Sequence, residues 1–235
     1  MAANGNVRLP TPLGLLAELT HRCPLGCPYC SNPLKLDPRD DELDTATWAR
    51  VFGEAATLGV LQVHLSGGEP GARRDLVEIT AAARDAGLYT NLITSAVGIT
   101  ADTLQKLADA GLDHVQISIQ DSTPKSADHI AGYDGAFARK RALAAEVVRL
   151  KIPLTVNVVV HRANIDRIEE MVALALALGA SRVEIAHVQY YGWALRNRTA
   201  LMPSAEQVRR AAAAVEDLRK RHHGEIVIDA VVPDY

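Results

Sequence analysis

The three cysteines of this 235-residue chain all lie in one stretch, "CPLGCPYC" at 23–30. An odd number of closely spaced thiols cannot form a disulfide framework, and a reducing compartment suits them better. Thiolate sulfur favours zinc or iron–sulfur clusters. Zinc would take Cys23, Cys27 and Cys30 with His21 as a fourth ligand. Such sites usually join two short ligand pairs in a small domain that needs the metal to fold. Here a single compact loop sits on a chain large enough to fold alone, and His21 is only two residues from Cys23. A cubane cluster normally takes four cysteines. Three would leave one iron without a protein ligand, open to a substrate or cofactor.

Such a loop needs a scaffold, and apolar runs alternate with helical patterns along the chain. Strands are predicted at 13–19, 61–66, 89–94, 114–120, 154–160 and 182–188, and helices at about 45–58, 73–86, 100–110, 136–150, 164–178 and 204–222. Gly59, Gly87, Gly111 and Gly179 fall where left-handed helix caps are expected, and Thr100 and Ser204 are N-cap candidates. A further apolar segment, 225–232, follows the last helix without an obvious closing element. Six βα units with short connections imply parallel strands and right-handed crossovers. An open doubly wound sheet and a curved partial barrel both fit, and both place ligands at the carboxyl ends of the strands. The unusual residues fall there: the cysteines, "SGGEP" (66–70), Thr94 with Ser95, and Gln120 with Asp121. Net charge is −3 and no strongly basic tract occurs, so a nucleic-acid partner is not expected. The apolar run 171–180 is too short to span a bilayer, and 1–10 lacks a signal pattern; a cytoplasmic protein without a membrane partner is expected.

Cys-x₃-Cys-x₂-Cys after a first strand, with Tyr29 before the last cysteine and "GGEP" after a second strand, resembles the radical S-adenosylmethionine (SAM) enzymes. The resemblance implies an α/β fold, a partial (βα)₆ TIM-like barrel of the radical SAM type over 13–222. An N-terminal segment (1–12) would precede it, and 223–235 would begin a C-terminal, SPASM-type extension. It also implies a [4Fe–4S] cluster on Cys23, Cys27 and Cys30, with SAM on the open iron. Gly67, Gly68, Glu69 and Pro70 would shape the SAM site, Glu69 accepting from the ammonium group. Tyr29, Thr94, Ser95, Ser118 and Asn157 are further cofactor contacts under the same resemblance.

Three stretches are more particular: 18–33, 115–122 and 183–203. Together they resemble the radical SAM peptide cyclases of pyrroloquinoline quinone (PQQ) biosynthesis. That implies a carbon–carbon bond between Glu and Tyr side chains of a precursor peptide, PqqA. It further implies a peptide chaperone, PqqD, and an electron donor such as flavodoxin. The chain has ten aromatic residues (two Phe, two Trp, six Tyr), and Tyr190, Tyr191 and Trp193 fall within four positions. With Arg196 and Arg198 they are the expected peptide contacts, because aromatic anchors and arginines dominate recognition surfaces. The coupling chemistry also needs a base, for which Asp121 and His161 are the candidates. Auxiliary iron–sulfur clusters are implied for the full-length family, but no cysteine follows Cys30 to hold them.

Overall fold

The computed structural model describes residues 11–232. The segment expected at 1–12 therefore lies, as far as residue 10, outside the described residues, as do 233–235. Seven strands form one sheet: β1 (Gly14–Glu18), β2 (Gln62–Ser66), β3 (Tyr89–Thr94), β4 (His114–Ser118), β5 (Leu154–Val160), β6 (Arg182–His187) and β7 (Val227–Val231). They lie in chain order and every neighbouring pair is parallel. Unbroken order with right-handed crossovers puts the intervening helices on one face and curves the sheet around the other. β1 and β7 are its two edges, so the barrel stays open.

The helices are α1 (Thr45–Thr57), α2 (Leu76–Asp85), α3 (Ala101–Asp109), α4 (Pro124–Ala131), α5 (Ala136–Arg149), α6 (Ile168–Ala177), α7 (Gly192–Arg196), α8 (Arg198–Leu201) and α9 (Ala205–Arg221). Strand alternation separates two environments. Val63, Leu65, Val115, Ile117, Val156, Val158, Val183 and Ile185 face the helices and are at most 2 % exposed. The intervening positions, among them His64, Gln116, Asn157 and Glu184, face the concave side. The apolar face holds the helices, while the polar face is left for a ligand.

All four glycines expected to cap helices have positive φ. Ser204 and Gln207 form a reciprocal capping box at the start of α9, and the Thr100 side chain accepts from the Thr103 amide. Four elements go beyond the sequence reading: β7, α4 and the short helices α7 and α8. The apolar segment 225–232 supplies β7, paired with β6 from Arg182↔Val227 to Ala186↔Val231. Helix α4 begins on Pro124 and ends on Gly132, whose left-handed conformation (φ 63°) reverses the chain into α5.

Candidate active site

The cysteine loop leaves the carboxyl end of β1 and is held from three sides. The Gly26 amide donates to Ala131 O (2.8 Å) at the end of α4. On the opposite side, the Ala194 amide in α7 donates to Cys30 O (3.0 Å), and Asn197 Nδ2 donates to Pro28 O (2.9 Å). Underneath, the turn after β2 docks its backbone: Gly68 N donates to Thr20 O at 2.6 Å and Glu69 N to Arg22 O at 2.8 Å. A Cβ at Gly67 would stand 2.4 Å from Thr20 O, and one at Gly68 would stand 2.5 Å from Arg22 O. The paired glycines thus serve first to let two backbones meet, although both also line the cavity.

Glu69 is placed differently from expectation. It is fully buried and does not line the cavity. One carboxylate oxygen accepts from Gly71 N (2.8 Å) and Thr94 Oγ1 (2.7 Å); the other accepts from Ser95 N (2.6 Å) and Ser95 Oγ. With these four bonds it braces the β2 turn against the end of β3, leaving little capacity to accept from a ligand's ammonium group. Pro70, buried at the start of the same turn, also stays off the cavity wall. Lys140, which the sequence reading missed, is fully buried on α5. Its Nζ donates to Ser95 O (2.8 Å) and Ser118 O (2.9 Å), joining the ends of β3 and β4. Burial pushes its pKa down to about 8, against the attraction of Cys27, Glu69, Cys23 and Asp128.

A cavity of about 400 Å³ opens between the cysteine loop and the concave face. Cys23, Cys27 and Cys30 border it, with Tyr29 beside them. Thr94, Ser95, Ser118 and Asn157 complete its strand-end wall, so these four expected contacts are gathered on one site. Gln120, also on the wall, donates to Tyr29 Oη at 3.1 Å, while its own side-chain oxygen is buried without a partner. Burial pushes the Cys23 thiol up and the Cys27 thiol up to about 11. It also holds the Tyr29 phenol well above its ordinary range.

The donor set suits a cubane better than a single ion. Among the described residues no three His, Cys, Asp or Glu side chains are grouped to hold one metal ion. His21, the fourth ligand of the zinc reading, accepts instead from the Asp37 amide at 3.1 Å. A cubane needs its thiolates on separate corners and beside a cavity for the remaining iron's ligand. The residues present fit that group.

The other expected residues lie around this site rather than on its wall. Asp121 is fully buried and accepts from Arg167, Ser126 and the Ser122 amide, which together keep its carboxyl low despite burial. His161 packs against Tyr29 with ring centroids 5.6 Å apart. Burial drops its pKa to about 4, and its Nε2 is buried without a partner. Arg198 lies over the Tyr190 ring at 5.7 Å, Arg196 is exposed, and Tyr191 and Trp193 are 58 % and 43 % exposed. Trp193 borders a second cavity on the outer side of the cysteine loop, where it meets Leu36 and Asn197.

A three-cysteine loop on the first strand of an open parallel half-barrel, braced by a GGEP turn, defines a class of cluster-bearing proteins that bind a ligand at an open iron. The chain belongs to the radical SAM superfamily, whose family pattern matches residues 17–175. More particularly, it is 66 % identical to a PqqA peptide cyclase of Methylocella silvestris over 99 % of this chain and 62 % of the relative. It is 58 % identical to a PqqA peptide cyclase of Ruegeria pomeroyi over 97 % of this chain and 61 % of the relative. The chain thus spans about three fifths of the length of these relatives. Its fold is shared with Streptococcus suis SuiB bound to precursor peptide SuiA, with a TM-score of 0.79 and 21 % identity over 93 % of this chain and 48 % of that one. It is also shared with anSMEcpe bound to AdoMet and a peptide, with a TM-score of 0.74 and 14 % identity over 92 % and 63 % of the two chains. Among the described residues no helix is long and apolar enough to cross a membrane.

Proposed function

We propose that this chain is the SAM-binding core of an enzyme that joins a glutamate and a tyrosine side chain of the precursor peptide PqqA in PQQ biosynthesis. The observation that carries the reading is the set of three thiols bordering a cavity whose opposite wall is the polar ends of β3, β4 and β5. High identity to proteins named PqqA peptide cyclase supports the choice of substrate. When bound, the [4Fe–4S] cluster supplies the electron that cleaves SAM to methionine and a 5′-deoxyadenosyl radical, which abstracts hydrogen from the peptide.

The chain's own residues prepare that event. Cys23, Cys27 and Cys30 would hold the cluster as thiolates, having released their protons. Gly67 and Gly68, whose missing side chains let the β2 turn close on the cysteine loop, present their backbone to SAM, and Ser118 and Asn157 offer polar groups to its ribose and carboxylate. Tyr29 flanks the adenine. Thr94 and Ser95 hold the wall in place through Glu69. Tyr190, Tyr191, Trp193, Arg196 and Arg198 receive the peptide at the mouth of the barrel. Of the two base candidates, Asp121 is committed to Arg167 and acts as a brace in this reading. Neutral His161 accepts the Ala163 amide at Nδ1 (3.3 Å), which leaves the ring hydrogen on Nε2, so as the base it would have to release that bond to take a proton. PqqD presents the peptide, and a donor such as flavodoxin supplies electrons. Auxiliary clusters belong to the full-length protein.

The test is anaerobic incubation of the full-length, cluster-loaded protein with SAM, reductant and PqqA. A peptide lighter by two hydrogens is expected. An unmodified peptide beside steady deoxyadenosine formation would refute the choice of substrate.

A further inference from the structure

The concave face carries a polar layer that none of these roles uses. His64, Asn91, Gln116 and Glu184 each lie two residues before a residue that lines the cavity: Ser66, Ile93, Ser118 and Ala186. Alternation puts both sets on one face, the first about 7 Å deeper along the strands. Hydrogen bonds knit the layer together. Gln116 Nε2 and Asn157 Nδ2 both donate to the same oxygen of Glu184, at 3.0 and 3.1 Å. Asn91 Nδ2 lies 3.0 Å from His64 Nδ1. Asn157 also borders the cavity, so the layer is continuous with the site above it.

Two acceptors in this layer are unanswered. Both bonds to Glu184 fall on one of its oxygens, and no Lys, Arg or His forms an ion pair with it among the described residues. Asn91 is 7 % exposed, and its side-chain oxygen is buried without a partner. Exchanging the amide's oxygen and nitrogen would only leave the NH₂ group in that condition. Glu184 is half-buried on the concave face, two residues below the cavity wall at Ala186, and a carboxylate so placed selects a hydrogen-bond donor and repels another carboxylate. Of the two side chains that the proposed reaction joins, glutamate brings a carboxylate and tyrosine brings an O–H.

We propose that this layer is the binding well for the substrate tyrosine, with Glu184 accepting the phenol O–H. The inference rests on the peptide-cyclase reading above. It makes Glu184 a specificity-determining residue, and it sets the aromatic ring between the well and the SAM cavity.

A double-mutant cycle tests it. Binding of PqqA, and of PqqA with its reacting tyrosine replaced by phenylalanine, is measured on the full-length, cluster-loaded protein with SAM. Wild type is compared with the isosteric variant Glu184→Gln. A hydrogen bond to a charged acceptor predicts that wild type binds the tyrosine peptide roughly 10- to 100-fold more tightly than the phenylalanine peptide. In Glu184→Gln that preference should shrink to within about threefold, through loss of affinity for the tyrosine peptide alone. Equal weakening of both peptides, or an undiminished preference in the variant, would overturn the proposal and leave the peptide-cyclase reading intact. Wild type that binds neither peptide would overturn both.

Discussion

Replacing Lys140 by Met should remove one specific feature from the pH dependence of stability. Lys140 is fully buried, and its ammonium is satisfied by two backbone carbonyls rather than by a carboxylate. Burial lowers its pKa from 10.5 to about 8. At about 1.36 kcal/mol per pH unit, the charged form costs the folded chain about 3 kcal/mol relative to the unfolded one. Below pH 8 both states are protonated and the cost is fully present. Between pH 8 and 10.5 the folded chain gives up the proton while the unfolded chain keeps it, so stability rises with pH. Cys27 acts in the opposite sense, because its folded pKa of about 11 lies above the ordinary 9.0 and folded-state stability is lost through that window. Subtracting the variant's curve from the wild type's removes the burial part of the Cys27 effect and leaves Lys140 together with its attraction to Cys27. At neutral pH the variant sheds the charge penalty but leaves two carbonyls without a donor, at about 1–3 kcal/mol each, so the terms nearly offset. Urea melts of the cluster-free chain across this window should show wild type gaining about 3 kcal/mol on Lys140→Met. Parallel curves would refute the buried-charge account.

Cluster loading should tighten as pH rises towards about 11, because the raised Cys23 and Cys27 thiols must release protons to ligate; iron bound per chain at fixed iron and sulfide measures it. Gly68→Ala should cost about 2 kcal/mol or more in a denaturant titration, since its Cβ meets backbone rather than a yielding side chain. Asp121→Asn should destabilise by about 3 kcal/mol by leaving Arg167 without its buried partner. The wild-type contribution, held by a lowered carboxyl pKa, is present at neutral pH and lost as pH falls through that pKa, which acid titration of both proteins will reveal.

Much of the scaffold was legible because its signals are local. Val63 and Leu65 alternating with His64, or Val156 and Val158 with Asn157, mark strands without reference to anything distant. α4 was missed because eight residues carry too little periodicity, and β7 because its pairing with β6 depends on where α9 returns the chain, which the segment's own pattern does not state. Cys23, Cys27, Cys30, Gly67 and Gly68 were legible because their types are rare and their spacing is short. Lys140 was not, since a lysine in a helical pattern reads as solvated and its burial depends on β3 and β4 arriving from elsewhere. Glu184 could have been found from alternation alone, as the polar member of "RVEIAH" on the face opposite Val183 and Ile185. Placement at a strand end misled for Asp121, because it does not specify which way a side chain turns. Gln120 reaches the cavity, whereas Asp121, one residue on, turns to Arg167.

The central claim is that three thiolates leave one iron corner to be ligated by SAM. Low-temperature electron paramagnetic resonance of the reduced, cluster-loaded protein, recorded with and without SAM, tests it most directly. A signal whose g-values change on addition of SAM is the predicted result. A spectrum indifferent to SAM, in protein that carries a full cluster, would contradict it.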